Sequence, residues 1–221
     1  MPEVLYEDDT ILVCVKPAGV ATQTKRIGEK DMESMLRTYR MQKGEPPYIG
    51  VVHRLDQPVK GVMVFAKTKE AASDLSRQVA AKTADKFYYA MIEGVPEQKK
   101  GSIEDYLLRD GKTNTSKVVP KGTADAKRAE LSYEVLESDR KRSILKVKLE
   151  TGRHHQIRVQ LSNARWPIVG DRKYNRTVSP REAKEPGQAK ELALCSYKIG
   201  FTHPKIHRKM EFEIDMPFQL T

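Results

Sequence analysis

The chain of 221 residues has few of the features that mark secreted, membrane-bound or metal-binding proteins. It contains two cysteines, Cys14 and Cys195, each within an apolar run, so we expect buried free thiols in a reducing cytoplasm. No apolar run approaches the roughly 20 residues that a transmembrane helix needs. The first ten residues, MPEVLYEDDT, lack the basic and apolar segments of a signal peptide. We therefore expect a cytoplasmic protein.

Motifs for metals, nucleotide cofactors and serine nucleophiles are also missing. There is no Cys-x-x-Cys pair, His154 and His155 are adjacent, and Pro204 argues against a helix that would bring His203 and His207 together. The sequence has no Gly-x-Gly-x-x-Gly pattern, no phosphate-binding loop and no serine nucleophile elbow. We therefore expect neither a metal nor a cofactor.

Acidic residues are fewer than basic ones. The 30 Asp and Glu residues stand against 40 Lys and Arg, which gives a formal net charge of +10. Because the excess is spread along the chain, it should form a positive surface field that attracts polyanions. Nucleic acid is the leading partner on this basis, and a generally basic, solvated surface is the alternative that charge alone leaves open.

Strand patterns outnumber helix patterns along the chain. Helices are predicted after the capping residues Asp31 and Thr68 and over residues 154–165. Residues 96–128 are polar and turn-rich with short strand-like pieces, and residues 178–190 are a predicted loop. Strands are predicted at VLYE, ILVCV, GVMVFAK, KFYYAMIE, AELSYEVLES, RSILKVKLE, LALCSYKIGF and KMEFEID. Since strands and helices do not alternate, we expect an α+β fold in a single domain, with a largely antiparallel mixed sheet flanked by helices.

Three ionisable residues, His53, Arg54 and Asp56, lie between two apolar runs in the segment VVHRLDQPVKGVMVFAKT. A carboxylate beside a core is costly unless a cation pairs with it. Tyr88 in KFYYA and Arg158 in TGRHHQIRVQL are two further candidates. Taken alone, each has an ordinary explanation: a turn residue, a packed aromatic side chain and a solvent-facing cation.

Taken together, the motifs resemble the signatures of the RluA-type pseudouridine synthases. KPAG at residues 16–19, HRLD at residues 53–56 with GVMVFAK, then KFYYA, then TGRHHQIRVQL with PIVGDRKY occur in the family's order. The sequence departs at His154, where a small residue or Thr is common, at Gln160, where His is common, and in QPVKG after Asp56. The resemblance implies an isomerase that converts uridine in RNA to pseudouridine without a cofactor. It also implies an RNA-binding cleft across the sheet and one catalytic domain over residues 1–221, without the accessory N-terminal domain of many relatives.

The same resemblance assigns roles to individual residues. Asp56 is the essential carboxylate and acts on the sugar as a nucleophile or as a base. Arg158 pairs with Asp56 and keeps it charged. Tyr88 packs against the flipped uracil and is the candidate for removing the carbon-5 proton. Arg54 fills the space left by the extruded base, or else braces the Asp56 turn, and His53 shapes the same loop.

Basic segments around the expected cleft are predicted to bind the substrate. The remaining candidate substrate-binding residues are Lys16, Gly152, Arg153, His155 and Gln156. We expect a monomer that acts on structured RNA, rRNA in preference to tRNA. A non-catalytic RNA-binding or ribosome-assembly factor on the same scaffold is the alternative. A nucleosidase or glycosidase is a weaker one, because a lone Asp without a partnered carboxylate fits that chemistry poorly.

Overall fold

The computed structural model describes residues 2–24, 28–175 and 191–220, and the chain divides into two compact units. Unit 1 contains the residues up to Lys86 together with Ser196–Asp215, and unit 2 contains Phe87–Cys195 with the residues from Met216 onward. The loop predicted at residues 178–190 lies outside the described residues. In the described part of the chain, none of the helices has the length and hydrophobicity needed to cross a membrane.

Unit 1, over the residues that the structure describes, is built from strands with two helices. Its elements are β1 (Glu3–Glu7), β2 (Ile11–Lys16), α1 (Met32–Gln42), β3 (Gly50–Val51), β4 (Lys60–Ala66), α2 (Lys69–Ala80), most of β10 (Leu194–Thr202) and β11 (Lys209–Glu213). The strand order is β1-β2-β4-β10, with β3 paired to β4 and β11 paired to β10. All six residues of β2 are buried, as are the last six residues of β4, so these two strands form the centre of the unit.

The two helices of unit 1 begin at the residues that the sequence predicts. Asp31 accepts a hydrogen bond from the backbone N–H of Ser34 at 2.8 Å, and the Ser34 hydroxyl accepts one from the Asp31 N–H at 3.1 Å. Thr68 caps α2 by accepting from the Ala71 N–H at 3.1 Å. Such caps satisfy backbone donors that the first helical turn leaves free. The apolar face of α2 packs into the core cluster that also contains residues of β2, β4 and β10.

The described residues of unit 2 form an antiparallel sheet with one short helix. Its elements are β5 (Asp85–Glu93), β6 (Lys100–Asp110), β7 (Thr115–Val119), β8 (Lys127–Ser138), β9 (Arg142–Leu149) and α3 (Gln156–Asn163), with β5 beginning two residues before the unit. The strand order is β5-β9-β8-β6-β7, and every one of these pairings is antiparallel. The predicted strands AELSYEVLES and RSILKVKLE are confirmed as β8 and β9, which pair in an antiparallel hairpin.

The predicted fold class is confirmed, with one element longer than the sequence suggested. The described residues form an α+β structure with a largely antiparallel mixed sheet. The segment 96–128, predicted to hold only short strand pieces, contains the 11-residue strand β6. Its first six residues alternate between exposed and half-buried positions, and Leu107 is its one buried residue, so few apolar residues reveal the strand. Cys14 and Cys195 are buried free thiols, as predicted.

Candidate active site

Asp56 lies half-buried in the segment that connects β3 to β4 in unit 1. The Val59 N–H donates to the Asp56 carbonyl at 3.0 Å and closes a turn there. One residue earlier, the Thr22 hydroxyl donates to the Leu55 carbonyl at 3.0 Å and accepts from the Leu55 N–H at 3.1 Å. Both backbone groups of the preceding residue are therefore satisfied by a single buried side chain, and this fixes the position of Asp56 along the segment.

Lys16 also stabilises the segment that contains Asp56. Its side chain is fully buried, and Nζ donates to the carbonyl oxygens of Pro17, Val20 and Gln57 at 3.0, 2.6 and 3.0 Å. Burial lowers the pKa of Lys16 to about 8, while the negative charge of Asp56 acts in the opposite direction. An ammonium group has three protons, and all three are used on carbonyls. Contact between Lys16 and RNA remains a prediction, and these contacts favour a positioning role.

His53 is fastened to strand β4. The Val64 N–H donates to Nε2 of His53 at 3.2 Å, so the neutral ring carries its proton on Nδ1. Burial lowers the pKa of His53 to about 3, with a further contribution from the charge of Lys86. The ring is therefore neutral near pH 7 and offers no positive charge to a phosphate. Arg54, next in sequence, is exposed. Its predicted entry into the space of an extruded base remains a prediction.

Tyr88 lies in β5 of unit 2, where its side chain is 6% exposed. Val147 of β9 is opposite it in the strand register, and both residues are buried. Because side chains alternate along a strand, the neighbouring Phe87 points to the other face, where the ammonium groups of Lys146 and Lys148 lie 5.8 and 5.9 Å from its ring centre. Tyr88 thus has a fixed direction, which its predicted packing role requires.

Arg158 lies in α3 and is oriented by Asp171. Its Nε donates to Oδ2 of Asp171 and its Nη2 donates to Oδ1, each at 2.8 Å, and both residues are buried. Asp171 also accepts hydrogen bonds from the backbone N–H groups of Lys173 and Tyr174 at 3.0 and 3.2 Å. The Tyr174 ring lies 5.2 Å from Cζ of Arg158. Sequence reasoning missed Asp171 as a functional residue, although it lies in the PIVGDRKY motif that carries part of the resemblance.

The segment before α3 is held in a defined shape by Gln156. Its Oε1 accepts from the Thr151 hydroxyl at 2.8 Å and from the Arg153 N–H at 2.9 Å, and its Nε2 donates to the Glu130 carbonyl at 3.0 Å. Gln156 is buried, whereas Gly152 and Arg153 are exposed. The exposed pair is accessible to RNA, and the buried amide instead fixes the segment. Their predicted substrate-binding roles remain predictions.

His155 adopts a left-handed backbone conformation with φ of 55° at the start of α3. Its Nδ1 lies 2.7 Å from the Tyr174 hydroxyl, and that hydroxyl in turn accepts a hydrogen bond from the Ser116 N–H at 2.9 Å. These contacts place His155 among protein groups, and its binding to substrate remains a prediction.

The candidate residues fall into two sets. Unit 1 brings Lys16, His53, Arg54 and Asp56 together, and unit 2 brings together Arg158 and the segment 152–156. The ion pair predicted between Asp56 and Arg158 joins residues of different units and remains a prediction. Within the described ranges, His, Cys, Asp and Glu side chains do not gather in groups of three or more that could hold a metal ion.

Comparison with known proteins identifies the class to which this fold and these residues belong. The model of the RNA pseudouridylate synthase family matches residues 10–163, and the chain belongs to that family. It is 33% identical over 221 residues to the ribosomal large subunit pseudouridine synthase D of Neisseria meningitidis serogroup B, covering 97% of this chain and 58% of that protein. It is 35% identical over 210 residues to the dual-specificity RNA pseudouridine synthase RluA of Vibrio parahaemolyticus, covering 93% of this chain and 79% of that protein.

A solved structure of a pseudouridylate synthase domain has a similar fold. The human RNA pseudouridylate synthase domain containing 1 superposes with a TM-score of 0.78 at 24% sequence identity, covering 99% of this chain and 85% of that chain. The chain spans 58% and 62% of the length of its synthase D relatives from Neisseria meningitidis serogroup B and Nitrosomonas europaea.

Proposed function

We propose that this chain is an RNA pseudouridine synthase that uses Asp56 to isomerise uridines in structured RNA. The observation that carries the proposal is the bracing of the Asp56 segment by Thr22, His53 and Lys16 within a chain of this family. A half-buried carboxylate that must act on one bond of a bound nucleotide needs a fixed position, because small displacements of a reacting group are costly. The hydrogen bonds of these three side chains fix the position of the segment that contains Asp56.

The reaction is an isomerisation, so its atoms balance without a cofactor. The bond from ribose to the ring nitrogen of uracil breaks, the base turns, and a bond forms from ribose to ring carbon 5. The proton on carbon 5 leaves and the ring nitrogen takes up a proton. The Asp56 carboxylate either attacks the sugar carbon or removes a sugar proton to begin an elimination. Either step requires an ionised carboxylate.

We assign the supporting roles in unit 2 to Arg158 and Tyr88. Arg158 pairs with Asp56 and keeps the carboxylate charged, and its bidentate contact with Asp171 sets the plane of the guanidinium group for that purpose. Tyr88 packs against the uracil ring and removes the carbon-5 proton. In unit 1, Arg54 is exposed beside Asp56 and fills the position of the base that is extracted from its stack.

We propose ribosomal RNA as the substrate, in preference to transfer RNA. The names of the synthase D relatives support this choice, and the excess of 40 basic over 30 acidic residues suits a polyanion. We further propose that the protein works in the cytoplasm as a monomer with one catalytic domain. Mapping pseudouridines across total RNA from cells with and without the gene would identify the modified positions.

Exchange of Asp56 for Asn tests the activity. The variant keeps the shape of the side chain and removes its charge, so it should bind RNA and lose tritium release from RNA labelled at carbon 5 of uridine. Asp9→Asn, in the exposed β1–β2 turn, is the matched control and should behave as the wild type. Full activity in the Asp56→Asn variant would show that Asp56 is not the essential carboxylate. The alternative, a non-catalytic RNA-binding or ribosome-assembly factor on the same scaffold, predicts no tritium release from the wild type and an unchanged cellular role in Asp56→Asn.

A further inference from the structure

The hairpin formed by β6 and β7 carries exposed cations at its tip. Residues 109–117, at and beside the turn, contain three basic side chains and one carboxylate. The carboxylate, Asp110, accepts hydrogen bonds from the N–H groups of Lys112 and Thr113 at 2.8 and 3.4 Å, so it serves to close the turn. Arg109 and Lys112 are exposed. The tip of this hairpin is therefore a positively charged surface.

His154 connects this tip to the chain just before α3. Its Nδ1 lies 2.9 Å from the Ser116 hydroxyl and its Nε2 lies 3.1 Å from Oδ1 of Asn114. The Ser116 hydroxyl also donates to the His154 backbone carbonyl at 3.0 Å, so one serine side chain contacts both the ring and the backbone of His154. The ring also stacks on His155, with centroids 3.7 Å apart. Both ring nitrogens are thus committed to the hairpin.

Two further contacts fix the same turn and connect it to Arg158. Lys173 Nζ donates to the Asn114 carbonyl at 2.9 Å, and the Ser116 N–H donates to the Tyr174 hydroxyl at 2.9 Å. The ring of Tyr174 in turn lies 5.2 Å from Cζ of Arg158. The hairpin therefore has a fixed orientation relative to the guanidinium group that we assign to the active site.

We propose that the tip of the β6–β7 hairpin contacts the RNA backbone through Arg109 and Lys112, and that His154 is the positioning residue that holds it for this contact. Because the hairpin is already ordered, its cations can bind phosphates without the entropy cost of ordering the hairpin on binding. His154 stands where the resemblance leads one to expect a small residue or Thr, neither of which reaches both Asn114 and Ser116. The proposal rests on the proposed function for the identity of the ligand.

The test compares RNA affinity and chemistry in single and combined variants. The variants are His154→Ala, His154→Gln, Lys112→Ala, the His154→Ala/Lys112→Ala pair, and Lys205→Ala as a control at an exposed turn lysine of unit 1. Fluorescence anisotropy with a labelled stem–loop RNA gives Kd at several salt concentrations. Tritium release under single-turnover conditions with saturating enzyme gives the rate of the chemical step.

A positioning role predicts a specific pattern. Lys112→Ala should weaken binding about three- to tenfold and lower the slope of log Kd against log salt by about one, as the loss of one phosphate contact does. His154→Ala should weaken RNA binding by a similar factor. Adding Lys112→Ala to it should then have little further effect on Kd, because the tip of the hairpin is already displaced. His154→Gln retains a donor and an acceptor and should bind within about twofold of the wild type. The rate at saturation should remain within about twofold in all of them, since these residues do not contact the reacting atoms.

Three results would overturn the proposal: an unchanged Kd in Lys112→Ala, additive losses in the double variant, or a loss in Lys205→Ala as large as that in Lys112→Ala. Should His154→Ala fail to fold, Lys112→Ala and His154→Gln still decide the matter. Binding does not require turnover. RNA that binds with the expected pattern but never releases tritium would count against the proposed function and leave the hairpin proposal intact.

Discussion

Arg158 and Asp171 form a buried bidentate ion pair in unit 2, with two hydrogen bonds of 2.8 Å. Their side chains are 5% and 1% exposed, so neither group is screened by water. A guanidinium group held by two parallel bonds has its plane fixed, which one bond or a Lys would not achieve. The contact with Asp171 therefore sets the direction of the guanidinium N–H groups that do not bind Asp171.

Replacing Asp171 with Asn should damage both stability and catalysis. The buried Arg158 would lose its counter-charge, which costs about 3–5 kcal/mol, measurable by urea unfolding. The guanidinium group would also lose its fixed plane, and the single-turnover rate should fall about 10- to 100-fold even where the protein is folded. Asp139→Asn is the matched control, because Asp139 also accepts two backbone hydrogen bonds and faces an arginine, but it lies in an exposed hairpin turn. Equal losses in the two variants would contradict this role of Asp171.

Lys16 should make the free energy of unfolding rise with pH in the alkaline range. Its pKa is about 8 in the folded protein and 10.5 in the unfolded chain, so the folded protein releases its proton first. Between these two values the unfolded state binds more protons, and stability therefore increases with pH, by roughly 3 kcal/mol over the whole window. Below pH 8 both states are charged and the slope from Lys16 vanishes.

The measurement compares the wild type with Lys16→Met across pH 7–10.5. Methionine has a similar length and no charge, so the difference in unfolding free energy between the two proteins isolates Lys16. The half-buried Lys86, whose pKa burial also lowers, is present in both proteins, so its contribution cancels. A difference that is flat across this range would show that the ammonium group does not titrate as stated.

Local features of this fold follow from the sequence, and contacts between distant residues do not. The caps at Asp31 and Thr68 lie within three residues of their partners, so a short pattern predicts them. Lys16 donates a hydrogen bond to the Gln57 carbonyl, 41 residues away in the sequence. No pattern around either residue predicts this contact. The resemblance finds KPAG and HRLD as separate motifs. Only the structure shows that Lys16 of KPAG binds the backbone immediately after HRLD.

The candidate site divides in the same way. Asp56, Tyr88 and Arg158 were identified by motif, because the resemblance assigns them chemistry directly. Asp171 was not, because a carboxylate 13 residues from Arg158 follows no helical or strand period. Strand β6 was underestimated because a half-exposed strand near the edge of a sheet needs few apolar residues. The sequence therefore predicts reacting groups better than it predicts the groups that hold them.

Gly61→Ala should be strongly destabilising because β4 meets Ser196 at this residue. A Cβ on Gly61 would lie 2.7 Å from the Ser196 nitrogen and closer still to its carbonyl oxygen, and φ of 154° disfavours any side chain. The cost should be about 3 kcal/mol or more in urea unfolding, because backbone atoms cannot move aside as a side chain can. Gly111→Ala is the control, since its Cβ would enter open space. Similar stabilities for the two variants would show that β4 can shift without cost.

His53 should contribute through one hydrogen bond and not through its charge. In His53→Leu the Val64 N–H loses its acceptor, which costs about 1–3 kcal/mol for a buried donor. His53→Gln places an amide oxygen near the position of Nε2 and should recover most of that loss in urea unfolding. Because the pKa of His53 is about 3, the wild-type activity profile between pH 5 and 8 should contain no step that disappears in the Gln variant. His207→Asn, at an exposed histidine with φ of 53°, is the control and should leave stability unchanged, because Asn tolerates the left-handed conformation. If Leu and Gln are equally destabilising, or if Gln abolishes a step near pH 6.5, then His53 acts by some means other than bracing the Asp56 segment.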